Sequence, residues 1–286
     1  MRIKLSERIG FCFGVRRAVA MAERALEENR LGGICSLGPI IHNKEAVRDL
    51  AIKGLKVRKD IGKIKGGAVV VSSHGLSPKI KRAISKKGLK VIDTTCPFVL
   101  NAQRIAKRMG EEGYVVVIAG DANHPEIKAL VDFVPDASGA AKVFVVKDKR
   151  KIGALKISHE DKVGVVAQTT QSTQNFLDVV KAIADKKPRE LRVFNTICND
   201  AEERQRLASC LAREVDLMLI VGGKNSANTK RLFEVCKMAL KDSYLVETDK
   251  AVRRGWFAGK GLVGVISGAS TPEWIIKKVV SKIKIQ

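Results

Sequence analysis

Short runs rich in β-branched residues, AVVVSS, YVVVIAG, VGVVAQ, LMLIVGG and LVGVISG, alternate along the chain with stretches whose apolar positions repeat at helical spacing. Apolar residues at a 3.6-residue period, as in AVAMAERALEENR and NAQRIAKRMGEEG, predict amphipathic helices, whereas continuous apolar runs bounded by glycine predict strands buried on both faces. Regular alternation of the two predicts an α/β fold with parallel sheets.

Aligning the ends of these elements reveals three similar units. Each opens with a cysteine at a predicted helix start: GFCFGVRRA, TTCPFVLNA and TICNDAEER. Pro97 suits a first helical turn, and Asp200, Glu202 and Glu203 complement the positive end of a helix dipole. The helix leads to a strand ending in glycine, and the separations Cys12 to Gly38, Cys96 to Gly120 and Cys198 to Gly222 are 26, 24 and 24 residues. Four residues beyond each glycine stands His42, His124 or Ser226. A second strand then runs into a polar tip: SSHG at His74, AQTT at Thr169 and SGAS at Ser270. The expected domains are 13–96, 97–194 and 195–286, with residues 1–12 completing the sheet of the third. In parallel α/β units, ligands sit at the carboxyl ends of strands beside helix N-termini. Three such units packed as a pseudo-threefold trefoil would direct these polar positions to one central cavity.

Composition narrows the class. The 286 residues carry a net charge of +23, which favours anionic partners through the summed field. Aromatic residues make up only 5% of the chain and no RNP, KH or helix-turn-helix pattern is present, so a nucleic-acid-binding role is the weaker use of that charge. Docking of an acidic electron carrier is another. Six widely spaced cysteines without a CxxC argue against a disulfide scaffold. The opening MRIKLSERIG lacks the apolar core of a signal peptide, and no segment offers an uninterrupted apolar membrane span. The expectation is a cytoplasmic protein with reduced thiols.

Three convergent thiolates, Cys12, Cys96 and Cys198, suit a soft metal and leave a coordination position open, which fits either catalytic zinc or a cubane iron-sulfur cluster. A zinc hydrolase therefore stays open at this point. Cys35, Cys210 and Cys236 are expected to be inert core residues, the first in a strand and the others within helices. In GDANHPEIKAL, His124 and Glu126 flank a proline that forces a turn before a helix, and together could deliver protons. GGKNSANTKR joins a strand to a helix and offers backbone amides, Ser226 and Asn228 to an anion. It is not a Walker A sequence and no GxGxxG follows a predicted strand, so nucleotide binding is not expected. Three histidines, hydroxyls and an amide suit a small diphosphate.

GFCFGVRRA, IHN, SSHG, DTTCP, HPE, AQTT, the Ile197-Cys198 pair, GGKNSANT and SGAS, in this order, closely resemble the 4-hydroxy-3-methylbut-2-enyl diphosphate reductases of the non-mevalonate isoprenoid pathway, over essentially the whole chain. The resemblance implies a trefoil of three α/β domains around a [4Fe-4S] cluster held by Cys12, Cys96 and Cys198, with the open iron taking the substrate hydroxyl oxygen. It further implies that Glu126 supplies protons with Thr169 and His124 in its relay, and that His42, His74, His124, Thr169, Ser226, Asn228 and Ser270 contact the substrate. The net charge, rather than the resemblance, suggests an acidic electron carrier such as ferredoxin or flavodoxin as the donor. Two departures stand out: Ala227 replaces a serine found in many relatives, and the segment NDAEERQ follows Cys198 where many relatives have Ala-Thr.

Overall fold

The structure, a computed structural model, describes residues 1–28, 33–135 and 142–285. The described strands form three four-stranded sheets in which every pairing is parallel. β1 (Arg2–Leu5) begins the chain. β2 (Ile34–Leu37), β3 (Lys56–Arg58), β4 (Ala68–Val71) and β5 (Lys90–Asp93) make one sheet in the order β3-β2-β4-β5. β6 (Val115–Ala119), β7 (Val143–Val146), β8 (Lys162–Ala167) and β9 (Glu190–Val193) make a second in the order β7-β6-β8-β9. In the third sheet β10 (Leu217–Val221), β11 (Ser243–Val246) and β12 (Leu262–Ser267) are joined by β1, giving β11-β10-β12-β1. The order is thus the same three times over, with β1 in the place held elsewhere by β5 and β9. The α/β expectation holds.

The helices are α1 (Phe13–Glu28), α2 (Lys44–Ile52), α3 (Pro78–Lys86), α4 (Pro97–Glu111), α5 (Pro125–Val131), α6 (Thr173–Ala184), α7 (Asn199–Ala212), α8 (Ala227–Ala239) and α9 (Glu273–Lys284). The last two positions of AVAMAERALEENR, 29 and 30, lie outside the described residues. The chain makes two compact units: Met1–Ala20, Ile41–Gly54 and Asn199–Gln286 form the first, Met21–Ile40 and Leu55–Cys198 the second. The first contains the β11-β10-β12-β1 sheet, and the second contains the other two.

Alternation along each central strand explains the layering, because successive side chains leave a strand on opposite faces. In the first unit Leu217, Leu219 and Val221 pack with Ile275, Val279 and Ile283 of α9, while Met218 and Ile220 pack with Ala208 and Leu211 of α7 and Leu232 of α8. In the second unit Val115, Val117 and Ala119 meet Phe176, Val179 and Ile183 of α6; Val116 and Ile118 meet Ala102, Ala106 and Met109 of α4 and Ile127 and Leu130 of α5. The other sheet there rests on a smaller cluster of Cys35, Ile64, Val69, Ile84 and Leu89. Each fully buried aliphatic side chain of this kind contributes about 1.5–3 kcal/mol. Such two-sided burial fixes the sheets and leaves the loops at their carboxyl ends to carry chemistry.

Candidate active site

Two backbone contacts recur at every sheet. Each strand-ending glycine donates its N–H to the last residue of the neighbouring strand: Gly38 to Arg58 at 2.8 Å, Gly120 to Val146 and Gly222 to Val246 at 2.9 Å. Each of the three repeat cysteines donates its N–H to the second residue past a central strand: Cys96 to the Ser73 carbonyl at 3.0 Å, Cys198 to Thr169 at 2.8 Å and Cys12 to Ala269 at 3.0 Å. Every such cysteine follows the outer strand of its sheet (β5, β9 or β1) and immediately precedes a helix, respectively α4, α7 or α1. The cysteine repeat expected from spacing is therefore a repeat of backbone structure.

In the first unit, Cys12 is half-buried, and the Val15 N–H of α1 reaches its sulfur at 3.4 Å. An amide at a helix entrance favours the thiolate form. Ser226 caps α8, its hydroxyl accepting the Thr229 N–H at 3.3 Å. Asn228, in the first turn, is buried with neither side-chain amide atom bonded to protein. A buried amide without partners costs about 1–3 kcal/mol, so this one is poised for a polar ligand. The Ser270 hydroxyl donates to the His42 carbonyl at 3.2 Å, and a Cβ on Gly223 would stand 2.5 Å from that same oxygen. Burial pulls the His42 imidazole below its ordinary pKa, with Lys230 adding in the same sense. Cys12, His42, Ser226, Asn228 and Ser270 all belong to this unit, with an α8 N-terminus and a lysine that suit an anion.

In the second unit, His124 caps α5 and accepts the Glu126 N–H through Nδ1 at 3.2 Å. Its ring stands edge-on to His74 with centroids 5.3 Å apart. Glu126 is buried, and Thr169 donates to its two carboxylate oxygens, the backbone N–H to Oε1 and the hydroxyl to Oε2, each at 2.7 Å. Burial pushes the Glu126 carboxyl above the usual carboxylate range, against the two Thr169 hydrogen bonds that pull it down. A carboxyl so placed can hold a proton that an exposed one would have lost. His74, Cys96, His124, Glu126, Thr169 and Cys198 all belong to this unit.

The structure corrects two details, on Thr169 and Cys210, and adds two, on His42 and Asp200. His42 is not a helix cap as His124 and Ser226 are, because Asn43 caps α2 and places His42 one residue earlier. Thr169 is not the counterpart of His74 and Ser270: it stands two residues past its strand and they stand three, so Thr170 is their equivalent. Cys210 is exposed on α7, not a core residue, while Cys35 and Cys236 are buried as expected. Burial pushes the Cys236 thiol up to about 12. Asp200 does more than complement a helix end, since it binds Arg204 at 2.7 Å. Two residues went unnoticed in the sequence. Thr229 is fully buried with its hydroxyl unbonded to protein, and Gly223 is small because the His42 carbonyl leaves no room for more.

All six cysteines are thiols rather than disulfides. A thiol at a helix entrance, repeated at three equivalent positions, has the ligand chemistry of a thiolate-bound cluster. Repeated parallel α/β sheets, a cysteine before the helix that follows each outer strand and a carboxyl whose pKa is raised by burial mark an α/β protein of the enzyme class. The chain belongs to the LytB protein family, whose profile matches residues 3–284. A 4-hydroxy-3-methylbut-2-enyl diphosphate reductase from Geobacter metallireducens is 44% identical over 99% of this chain and 97% of its own length. The protein of that name from Pelobacter propionicus is 45% identical over 99% and 98%. Among solved structures, the chain resembles an (E)-4-hydroxy-3-methyl-but-2-enyl diphosphate reductase described as the terminal enzyme of the non-mevalonate pathway, with TM-score 0.71, 42% identity and full coverage of both chains. It also resembles the Plasmodium falciparum reductase, with TM-score 0.91 and 25% identity over 98% of this chain and 87% of that one. Neither the zinc-hydrolase nor the nucleic-acid reading finds support among these relatives.

Proposed function

We propose that this chain is a 4-hydroxy-3-methylbut-2-enyl diphosphate reductase that removes the substrate hydroxyl reductively to give isopentenyl and dimethylallyl diphosphates. The observation that carries the reading is the identical backbone placement of Cys12, Cys96 and Cys198, in a chain that matches the family from end to end. These three thiolates would hold a [4Fe-4S] cluster, which when bound would pass on electrons from the external donor and offer a Lewis-acidic iron to the hydroxyl.

The other residues divide into two tasks. Ser226, Asn228, Ser270 and His42 are assigned to the diphosphate, supported by the α8 N-terminus and the unsatisfied Asn228 amide; His74 and His124 are assigned with them. Replacing a carbon-bound hydroxyl by hydrogen takes two electrons and two protons and releases water. Glu126 is the group assigned to hold and deliver protons, with Thr169 orienting its carboxyl and His124 completing the relay. The domain division at 13–96, 97–194 and 195–286, with 1–12 added to the last, belongs to the same reading and is supported by one four-stranded sheet per division. No described helix is long and apolar enough to cross a membrane. Cytoplasmic placement and an acidic ferredoxin or flavodoxin as donor complete the proposal.

The test is anaerobic purification of wild type and Cys12→Ser, with iron and acid-labile sulfide analysis, visible spectra and turnover under a strong reductant. A brown wild type with about four irons and four sulfides per chain, lost or diminished in the variant, is the expected result. Cluster-loaded wild type without isoprenoid product would overturn the reading.

A further inference from the structure

Arg204 has no part in the assignments above, yet it is among the most deeply buried charged residues described, at 2% exposure. In α1 and α4 the residue six past the cysteine is a buried alanine, Ala18 or Ala102; in α7 it is Arg204. A guanidinium withdrawn from water costs several kcal/mol unless its donors are satisfied. Here Nε donates to the Asp200 carboxylate at 2.7 Å, Nη1 to the Arg8 carbonyl at 3.2 Å and the Ser267 carbonyl at 3.1 Å, and Nη2 to the Gly10 carbonyl at 3.1 Å. Asp200 in turn meets the Arg8 guanidinium at 3.3 Å.

Three of those four acceptors define the approach to Cys12. Arg8 and Gly10 form the turn that precedes it, and Ser267 is the last residue of β12. Gly10 holds a φ of +78°, a conformation that favours glycine, and donates its N–H to the Ser267 hydroxyl at 2.8 Å. Two residues later the Cys12 N–H bonds to Ala269. A planar fork that reaches several carbonyls at fixed angles does what an ammonium cannot. α7 also begins one residue after Cys198, so the helix that follows one thiolate carries the group that shapes the approach to another.

We propose that Arg204, oriented by Asp200, is the positioning residue for Cys12, fixing the Arg8–Gly10 turn from which the Cys12 sulfur is offered to the cluster. The inference rests on the reading of Cys12 as a cluster ligand.

The experiment compares wild type, Arg204→Lys and Asp200→Ala after anaerobic reconstitution, reading the electron paramagnetic resonance spectrum of the reduced cluster and the rate of iron loss to a chelator. Circular dichroism of the apo proteins reports the fold. Loss of a group that orients a metal ligand typically weakens the site by about tenfold or more. Arg204→Lys is expected to fold and to take up a cluster with altered g-values and roughly tenfold faster iron loss. Asp200→Ala is expected to show a smaller change in the same direction. Wild-type g-values and iron-loss rate in Arg204→Lys would overturn the proposal; should that variant not fold, the same wild-type behaviour in Asp200→Ala overturns it. A wild-type protein that takes up no cluster overturns the reductase reading and this inference with it, whereas a loaded wild type matched by its variants overturns this inference alone.

Discussion

Thr169 grips Glu126 at both carboxylate oxygens, at 2.7 Å each, while its own carbonyl accepts the Cys198 N–H at 2.8 Å. One residue therefore couples the assigned proton donor to the backbone of an assigned cluster ligand. Glu126→Gln should retain the cluster and lose turnover by about a hundredfold or more, the usual contribution of a general acid. Single-turnover assays on cluster-quantified protein check this, and unchanged turnover would remove Glu126 from the mechanism.

The pH dependence of turnover follows from the same pair. Burial raises the Glu126 pKa, so its acid form persists above the ordinary carboxylate range and turnover should fall as pH rises through the raised value. Thr169→Val deletes the hydroxyl bond that favours the ionised form. Hydrogen bonds to charged groups contribute about 1.5–3 kcal/mol and one pKa unit is about 1.4 kcal/mol, so the alkaline limb should move up by roughly one pH unit or more. For stability the sign agrees. The folded state holds this proton more tightly than the unfolded chain, so the contribution is complete below the unfolded pKa and disappears as pH rises through the folded one. Urea titrations of wild type against Glu126→Gln across that window should show the wild type losing ground with rising pH.

Gly223→Ala should weaken diphosphate binding. Its new Cβ would meet the His42 carbonyl at 2.5 Å, a backbone atom that cannot rotate away. Overpacking of this kind costs about 1–3 kcal/mol, which corresponds to roughly 5- to 150-fold in affinity if it falls on the bound loop geometry. Calorimetry with the substrate diphosphate tests this; wild-type affinity would show that the loop adapts.

The thiols outside the assigned site should differ in reactivity. Cys210 is exposed and Cys236 is a buried thiol with its pKa pushed up to about 12. Because the thiolate is the nucleophile, iodoacetamide should label Cys210 in the native protein and spare Cys236 until unfolding. Peptide mass spectrometry at increasing urea reads the order directly.

With a net charge of +23, encounter with an acidic ferredoxin or flavodoxin should be steered electrostatically. Stopped-flow reduction should slow as salt shortens the Debye length from about 30 Å at 0.01 M to about 8 Å at 0.15 M. A rate indifferent to salt would argue against an acidic donor.

The frame was legible in sequence because it follows from local rules. Val115 to Ala119 and Leu217 to Val221 are apolar at every position because both faces are covered, and Gly38, Gly120 and Gly222 mark the strand ends. Pro97 and the acidic turn of α7 mark helix entrances beside Cys96 and Cys198. Loop detail was less legible, since loops obey neither helical nor strand period. Thr169 and His74 look alike in sequence yet differ by one residue in register, and His42 yields the capping position to Asn43. Arg204 was invisible for another reason. In NDAEERQ it reads as one charge among several on an exposed helix, and its carbonyl partners Arg8 and Gly10 lie 196 and 194 residues away.

The placement of β1 beside β12 bears on how the molecule is made. Arg2 pairs with Leu262 and Leu5 with Val265, so β1 must wait for β12, synthesised long after it, before its sheet can close. Both sheets of the second unit draw their strands from residues 34 to 193 and can assemble while the ribosome is still working. Pairings of such long sequence separation form late, because loop-closure entropy must be met before the contact stabilises anything. Until then the Arg8–Gly10 turn lacks Ser267 to rest on. Insertion of a cluster that needs Cys12 would accordingly follow synthesis of β12, and a nascent chain stalled before residue 262 should be unable to retain one.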